Sequence, residues 1–583
     1  MHRASIMLAL ALLSACATPR TAGQPAGRVA VKIIALNDFH GALEPPKLAV
    51  PAKGPAGEAV RVPAGGAAYL ASAVARLKAR NLNNLVVAAG DLTSASPFVS
   101  SQFLDEPTVL AMNMIGLDLN AVGNHEFDRG PDELKRLQQG GCVQHTGRKP
   151  CRVDPTFPGA SFRYLAANVR TPDGSTLFPG TAIRTVGKGR RKVSIGFIGL
   201  TLRTTPSLVV PANVATLTFA DEADTINALV PQLRAQGASA IVVLIHQGLY
   251  TKVGYNDRSC GGVSGDLLPI LAKLDPAVDL VVSGHTHRAY VCDYGTIDAA
   301  RPILVTSAGR SGTLLTDIEL SIDPARRRVI TKQADNLIVQ SAAYDDASGP
   351  VPLRAEFPTY PAEPRVAAMV ARYVAAATPI SARVVGKMSA PALREATPSG
   401  ESTLGNLIAD MQRSATGADL AFMNGYGLRA DLVPAADGSV TYGQLYAVMP
   451  FGNVLQVKGL TGRQITQLLE QQFASGSNTV AEPNMLMVSR GVSYRYDLRR
   501  PAGSRILDLR LDGRAIEQDR IYRVGVSNFL ATGGDNFTVF REGSDLAGGP
   551  EDIDAFEAFM KTAGTVTPPL PNRITRIDPP PAD

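Results

Sequence analysis

The first half of the chain contains short apolar runs, each followed by a glycine or a polar residue. Runs of this length with such boundaries are typical of buried β-strands. The clearest are V-A-V-K-I-I-A-L (29–36), N-L-V-V-A-A-G (84–90), K-V-S-I-G-F-I-G-L (192–200), A-I-V-V-L-I-H (240–246) and D-L-V-V-S-G-H (279–285). Residues 67–80 have helical spacing, with Leu70, Val74 and Leu77 on one face. The alternation of strands and helices predicts an α/β domain.

A proline-rich segment, residues 345–364, interrupts this alternation and precedes an amphipathic helix at 365–377. A chain of 583 residues is too long for one hydrophobic core. We expect a second, mixed domain with helices at 404–414 and 461–473 and a strand at 522–527. The predicted division is a leader at 1–28, a first domain at 29–344, a linker with an interdomain helix at 345–379, and a second domain at 380–583.

Two other segments are rich in proline and are expected to be irregular. Residues 45–63 also contain many glycines and alanines, and we expect a loop near the mouth of a site. The tail after Ala563 is expected to lack regular structure. No internal repeat is apparent in the sequence.

The N-terminus has the features of an export signal. A positive start is followed by an apolar stretch, Ile6 to Leu13, which is too short to span a bilayer permanently. The following L-S-A-C resembles the bacterial lipoprotein signal, in which Cys16 is acylated and becomes the first mature residue. Ala17 after it favours the outer membrane. The alternative is an ordinary secretory peptide cleaved near Ala-Cys-Ala. Either predicts a periplasmic or cell-envelope protein, and the first adds a membrane anchor.

Without Cys16, four cysteines are left, which in an oxidising compartment implies two disulfides with three possible connectivities. We expect local pairing, Cys142 with Cys151 and Cys260 with Cys292. The second bond would connect the loop after His246 to the segment just beyond G-H-T-H (284–287). A thiolate metal site does not fit these spacings.

The charge pattern argues against a nucleic-acid platform. The net charge of +6 comes from 58 basic and 52 acidic residues without long runs, whereas nucleic-acid binding surfaces concentrate their charge. We therefore expect no duplex partner, and we infer no obligate protein partner.

A set of metal-ligand residue types follows the apolar runs. The set comprises Asp38, His40, Asp91, Asn124, His246, His285 and His287. Five of the seven histidines in the chain lie in these motifs: His40, His125, His246, His285 and His287. A single G-D or G-x-H is usually a turn or a structural residue, but the ordered set favours a site.

Carboxylate, amide and imidazole groups suit borderline divalent metals. Two such cations, roughly 3.5–4 Å apart, can activate a water and stabilise an in-line displacement at phosphorus. Asp91 is the candidate bridging ligand, because a carboxylate has two oxygens. The D-x-H spacing predicts that Asp38 and His40 share one face of a strand end, and His285 and His287 likewise.

His125 lies beside Asn124 and is free to face a substrate instead of a metal. Asp128, three residues later, is placed to fix the tautomer of His125 and raise its basicity. These two residues are the candidate catalytic pair.

The order D-x-H, G-D, G-N-H-E-F-D, H, G-H-x-H resembles the calcineurin-like metallophosphoesterases, and more narrowly the bacterial 5′-nucleotidase and UDP-sugar hydrolase family. The likeness continues through L-G-N (404–406), F-M-N-G-Y-G-L-R (422–429), M-P-F-G-N (449–453) and S-N-F-L-A-T-G-G-D-N-F (527–537). It covers nearly everything from Val31 to about Phe540. The resemblance implies an N-terminal αββα metallophosphoesterase sandwich and a C-terminal mixed α/β substrate-binding domain.

The resemblance also implies roles for single residues. One metal would be held by Asp38, His40, Asp91 and His287, and the other by Asp91, Asn124, His246 and His285. His125 and Asp128 match the catalytic dyad of the family. Substrate-binding positions would be Asn424, Arg429, Phe451, Phe529 and Asp535.

These roles agree with the chemistry of a nucleotide. Two aromatic rings, Phe451 and Phe529, would stack on the base, and such stacking tolerates any base. The planar guanidinium of Arg429 matches phosphate oxygens. Asn424 and Asp535 would lie near the base and the ribose. Packing in the core is the alternative for either phenylalanine alone.

Two departures from the family pattern concern residues expected to contact the substrate. Family members carry further arginines before or within the L-G-N helix, and neither Arg394 nor Arg413 is expected at that position. Tyr426 replaces a glycine and adds bulk beside the proposed substrate.

The expected function is hydrolysis of extracytoplasmic nucleotides, chiefly nucleoside 5′-monophosphates, with two divalent metal ions (Zn, Mn, Co or Fe). The alternatives are a UDP-sugar hydrolase, a 2′,3′-cyclic-nucleotide phosphodiesterase, or a related sulfate thiol esterase. A non-catalytic surface binding lipoprotein is the alternative from another class, and the complete ligand set argues against it.

Overall fold

A computed structural model describes residues 27–346 and 349–578. The leader with Cys16 lies outside the described residues, so the lipoprotein signal stays a prediction. Within the described part of the chain, no helix has both the length and the apolar character required to cross a membrane.

The first part of the chain, up to residue 381, alternates strands and helices. The strands are β1 Val29–Leu36, β2 Leu48–Lys53, β3 Ala59–Ala64, β4 Asn84–Ala88, β5 Leu119–Ala121, β6 Arg163–Leu165, β7 Val169–Arg170, β8 Thr181–Val186, β9 Val193–Thr201, β10 Thr218–Phe219, β11 Ala240–His246, β12 Leu280–Ser283, β13 Ala289–Asp293, β14 Leu304–Ala308, β15 Leu314–Asp323, β16 Arg328–Ile338, β17 Tyr344–Asp346 and β18 Gly349–Val351. The helices are α1 Ala67–Arg80, α2 Phe98–Ser101, α3 Glu106–Ile115, α4 Gly130–Gln139, α5 Glu222–Ala235, α6 Leu267–Leu271 and α7 Pro364–Ser381.

Two six-stranded sheets form the centre of this domain, in the orders β16-β15-β1-β4-β5-β6 and β13-β14-β12-β11-β9-β8. Alternate residues of β1 and β4, such as Ile33 and Val87, pack against Val242 and Leu244 of β11 between the sheets. The opposite faces are covered by α1 and α3 on one side and by α5 and α6 on the other. Burial on both faces explains why these strands are almost continuously apolar. The predicted αββα sandwich is confirmed.

The second part of the chain is a mixed α/β domain, as predicted. Its strands are β19 Val384–Met388, β20 Leu420–Asn424, β21 Ser439–Thr441, β22 Val454–Thr461, β23 Leu486–Val488, β24 Val492–Tyr496, β25 Ile506–Leu511, β26 Arg514–Ala515, β27 Ile521–Ser527, β28 Ser544–Glu551, β29 Thr565–Val566 and β30 Ile574–Arg576. Its helices are α8 Thr403–Thr416, α9 Tyr442–Val448, α10 Gly462–Glu470, α11 Asn528–Ala531 and α12 Asp552–Ala563. The main sheet has the order β23-β20-β27-β22-β28.

The prediction of irregular structure is wrong for residues 45–63, and wrong in part for the tail after Ala563, which contains two short strands. Residues 45–63 contain most of the β2–β3 hairpin, because Val50, Val60 and Val62 alternate towards a small core with Leu314 and Ile338. In the tail, β30 pairs with β24 in parallel, and the buried side chain of Ile574 holds it there. Proline at the edges of short strands is compatible with pairing.

The two domains share one apolar core. Helix α7 packs against α1, α2 and α3 of the first domain and against α9 of the second. The ring of Phe98 lies 5.8 Å from that of Tyr442 and 5.2 Å from that of Tyr446, both edge-on. Because no gap in the core separates the halves, the predicted domain boundaries stay a prediction.

Candidate metal centre

The candidate ligands of the first domain gather where four parallel strands end. Asp38 lies two residues after β1, Asp91 three residues after β4, His246 is the last residue of β11, and His285 lies two residues after β12. The carboxyl ends of these strands meet at one edge of the sandwich, which is the usual position of a site in such sheets.

The gathered side chains form two groups, Asp38–His40–His287 and Asp91–His246–His285, and within each group the possible ligand atoms lie within 4.8 Å of one another. In the first, Nε2 of His287 is 3.3 Å from Oδ1 of Asp38 and 3.2 Å from Nε2 of His40. In the second, Nε2 of His246 is 2.9 Å from Oδ2 of Asp91. The same oxygen is 3.7 Å from Nε2 of His40, so Asp91 adjoins both groups.

Asn124 joins the second group, with Oδ1 3.1 Å from Nδ1 of His285. The structure thus brings all seven predicted ligands to one place. Their roles as ligands stay a prediction.

Backbone strain is concentrated at these residues. A positive φ, rare for residues with a Cβ, occurs at Asp38 (48°), His40 (45°), Asp91 (50°), His285 (70°) and His287 (58°). Such conformations cost on the order of 1–3 kcal/mol each and cluster at functional sites. The hypothesis that D-x-H and H-T-H place their side chains on one strand face is therefore wrong. The side chains converge because the loops turn through the left-handed region.

Hydrogen bonds orient two of the candidate imidazole ligands, those of His40 and His246. Nδ1 of His40 donates to the carbonyl of Ser94 at 3.0 Å, and Nδ1 of His246 donates to that of Ala89 at 2.7 Å. In the neutral rings, each Nε2 is then left with a lone pair. Nε2 of His246 is buried, and the nearest polar atom given for it is Oδ2 of Asp91 at 2.9 Å. This donor set fits divalent cations, without deciding which metal they are.

Glu126 supports the centre and was not assigned a role in the sequence analysis. Its carboxylate accepts hydrogen bonds from the backbone N–H groups of Asp91 (2.9 Å), Leu92 (2.8 Å) and Gly123 (2.7 Å). Burial, and then the charge of Asp91, raises the pKa of Glu126 to about 7. A Cβ at Gly123 would lie 2.2 Å from Oδ1 of Asp91, so this loop requires glycine. Glu126 is the glutamate of the G-N-H-E motif, and its place in that motif could have indicated this role from the sequence.

His125 belongs to neither ligand group, although its ring lies 5.2 Å from that of His40, edge-on. Its Nδ1 lies 2.8 Å from Oδ2 of Asp128, and its backbone N–H donates to Oδ1 of Asp91 at 2.9 Å. Burial lowers the pKa of His125, but the charges of Asp128 and Asp91 outweigh that effect and raise it. The imidazole stacks on Phe451 of the second domain, with ring centroids 5.8 Å apart and an interplanar angle of 21°.

The second domain places its candidate residues around this contact. The guanidinium carbon of Arg429 lies 5.8 Å from the ring of Phe451. Nδ2 of Asn424 donates to Oδ2 of Asp535 at 2.6 Å, and burial raises the pKa of Asp535 to about 6. Phe529 covers Gly534 and, among the described residues, makes no ring contact with Phe451.

Known proteins share both halves of this arrangement. Residues 31–289 match the calcineurin-like phosphoesterase family, and residues 384–542 match the 5′-nucleotidase C-terminal domain. The cell wall protein Lmo0130 of Listeria monocytogenes is 30% identical over 573 residues, which are 94% of this chain and 69% of that protein. The chain belongs to the 5′-nucleotidase family of metallophosphoesterases.

Other similarities agree with this membership. The crystal structure of a 5′-nucleotidase precursor from Thermus thermophilus matches 95% of this chain and all of its own, with 27% identity and a TM-score of 0.72. The endonuclease YhcR of Bacillus subtilis is 29% identical over 544 residues, 92% of this chain. This chain spans only 40% of the length of YhcR.

Arg394, one of the two arginines weighed for the missing phosphate contact, lies beside Arg429. Its Nη1 donates to the carbonyl of Arg429 at 3.2 Å, because the loop before α8 folds back over Arg429. Arg413 is elsewhere and donates to the carbonyl of Arg490 at 2.6 Å. Tyr426 adds bulk, and its side chain is largely exposed to solvent.

The two predicted disulfides are present, Cys142–Cys151 with a Cα–Cα distance of 5.7 Å and Cys260–Cys292 with 4.9 Å. The second connects the segment after His246 to the strand after His287. Two segments that carry candidate ligands are therefore linked covalently in this member of the 5′-nucleotidase family.

Proposed function

We propose that this protein hydrolyses nucleoside 5′-monophosphates to nucleoside and phosphate outside the cytoplasm. The observation that carries the proposal is the stacking of Phe451 on His125. This contact supports the proposal because it joins a candidate base-stacking ring of one domain to a candidate dyad residue of the other. A phosphate ester of a nucleoside has the shape that such a cleft requires.

Each residue has a definite task in this proposal. Divalent cations held by the two ligand groups would polarise the phosphoryl oxygens and lower the pKa of a water. His125, oriented by Asp128, would donate a hydrogen bond to a phosphoryl oxygen as negative charge develops there. Arg429 would bind the phosphate from the opposite side with its planar fork of N–H groups.

The nucleoside would be held by the second domain. Phe451 and Phe529 would stack on the two faces of the base. Asp535, fixed by Asn424, would accept hydrogen bonds from ribose hydroxyls, which requires its ionised form. Because its pKa is about 6, this interaction would be complete only near neutral pH and above.

An extracytoplasmic location is part of the proposal. The two disulfides indicate an oxidising compartment, and a similar protein is named a cell wall protein. Anchoring through an acylated Cys16 is proposed from the leader motif alone. Such an enzyme would release nucleoside and phosphate for uptake.

The experiment is a phosphate-release assay with the protein that follows Cys16, reconstituted with Mn²⁺, Zn²⁺ or Co²⁺. Substrates are AMP, UDP-glucose, 2′,3′-cyclic AMP and bis-p-nitrophenyl phosphate, the last because YhcR is named an endonuclease. Fast turnover of AMP supports the proposal. Turnover of only a diester or UDP-glucose would keep a phosphoesterase and replace the substrate. No turnover with any metal would favour a sulfur-ester substrate or a binding protein.

A further inference from the structure

Arg310 lies in the loop after β14, and this loop is attached to the metal centre. The carbonyl of Gly309 accepts a hydrogen bond from Nδ2 of Asn37 at 2.7 Å. The backbone N–H of Ser311 donates to the carbonyl of Asp38 at 2.8 Å. The backbone of Arg310 is thus held beside a candidate metal ligand. Neither the family resemblance nor the matched motifs assign this residue a role.

The guanidinium of Arg310 is half-buried, and it makes no hydrogen bond or ion pair with any described residue. The guanidinium of Arg429 is also half-buried, and within the described ranges it makes no hydrogen bond or ion pair. It does contact the ring of Phe451. Arginines this far from solvent are normally paired, because an unpaired charge loses hydration without compensation.

The charges around Arg310 and Arg429 include other arginines as well as carboxylates. Burial, and then the positive charge of Arg394, lowers the pKa of Arg310. Burial, and then the positive charge of Arg310, lowers the pKa of Arg429 to about 10. The carboxylates that act on these two arginines are Asp38, Asp91 and Asp128. Each of these already faces a candidate ligand group or His125.

The two arginines also come from different domains, Arg310 from the first and Arg429 from the second. An anion between them would satisfy two guanidinium groups at once and connect the domains through charge-assisted hydrogen bonds. Phosphate oxygens suit the planar fork of each arginine.

We propose that Arg310 is a substrate-specificity residue that binds a phosphate group of the substrate together with Arg429. The proposal rests on the proposed function in that the substrate is a phosphate ester. The phosphate group bound in this way is either the one that is hydrolysed or a second one next to it.

The test compares Arg310→Gln, Arg310→Lys and the wild-type protein with AMP, ADP and inorganic phosphate as probes. Loss of one charge-assisted contact is expected to raise KM for AMP and the inhibition constant of phosphate about ten- to hundredfold, with a smaller effect on kcat. Lysine is expected to restore part of the loss. An equal loss with AMP and ADP assigns Arg310 to the hydrolysed phosphate, and a larger loss with ADP assigns it to a second phosphate.

Arg190→Gln is the matched control, because it removes the same charge from an exposed turn just before β9. Unchanged KM and unchanged phosphate inhibition in Arg310→Gln would overturn the proposal while the nucleotidase function stands. Thermal stabilisation by phosphate supplies a readout that needs no turnover. If the wild-type protein hydrolyses no phosphate ester, the proposed function fails, and equal stabilisation of wild type and Arg310→Gln then rejects the role of Arg310 separately.

Discussion

Nδ1 of His125 donates a hydrogen bond to Oδ2 of Asp128 across 2.8 Å. A carboxylate that has lost its proton can only accept, so the single proton of the neutral imidazole lies on Nδ1. In the cationic imidazolium, a second proton is carried by Nε2. Asp128 therefore decides that Nε2 is the nitrogen of His125 left for another partner. Its position three residues away on the same short turn makes this orientation local and rigid.

Removal of this pair should affect the chemical step more than binding. His125→Ala is expected to lower kcat for AMP by about 10²–10⁴-fold, and Asp128→Asn by about 10–100-fold. Steady-state kinetics with saturating metal would measure both. His145→Ala, which changes an exposed histidine on a surface loop, is the control and should leave kcat unchanged. If His125→Ala leaves kcat for AMP unchanged, the dyad has no part in the mechanism.

Metal removal should reduce stability as well as activity. Dialysis against a chelator is expected to abolish activity and to lower the melting temperature on the order of 5 °C, because bound cations stabilise only the folded state. Elemental analysis should find about two metal ions per chain, reduced to about one in His246→Ala. A metal content unaffected by that substitution would contradict the assignment of His246 as a ligand.

Phe529 offers a cleaner test of base stacking than Phe451, because Phe451 also contacts His125. Phe529→Ala is expected to raise KM for AMP about five- to hundredfold, the effect of losing roughly 1–3 kcal/mol of stacking. KM for p-nitrophenyl phosphate should change little. Phe559→Ala, a partly buried phenylalanine on α12, controls for general loss of packing.

The pH dependence of stability should contain a contribution from Asp552, the first residue of α12. Its side chain is 2% exposed, its Oδ1 has no hydrogen-bond partner among the described residues, and burial raises its pKa to about 7. The folded protein therefore binds more protons than the unfolded chain between about pH 4 and pH 7. Over that window the Asp552 contribution makes the free energy of unfolding fall as pH rises.

Asp552→Asn is expected to remove this slope and to stabilise the protein above pH 7 by on the order of 1–3 kcal/mol. Thermal unfolding at pH 5 and pH 8 would measure the difference. Asp554→Asn on the exposed side of the same helix is the matched control. Equal melting temperatures of Asp552→Asn and wild type at pH 8 would contradict the shifted pKa.

The parts of the fold that could be predicted are those with strong periodicity. The strands at 29–36 and 240–246 and the helix at 67–80 follow from apolar spacing, because buried strands and amphipathic helices impose it. The β2–β3 hairpin was missed because its prolines and glycines outweighed the alternation of Val50, Val60 and Val62. The left-handed backbone of the ligand loops has no periodic signal at all, since only the tertiary contacts hold it.

In the candidate site, too, some features could be predicted from the sequence and others could not. Residue types and motif order were sufficient to select seven candidate ligands that the fold brings together, and His125 beside them, because the chemistry restricts which side chains can serve. The position of Arg394 depends on how a loop folds back over Arg429, which spacing does not encode. Arg310 lacks a motif altogether, and only its unpaired guanidinium in the folded protein draws attention to it.

The common core of the two domains, centred on Phe98, Tyr442 and Tyr446, also restricts how the chain can change over evolutionary time. A new second domain could not replace the present one unless it supplied aromatic side chains matching the surface of α2. Substrate preference is therefore expected to diverge through single substitutions in the cleft, and the two halves to be inherited as one unit.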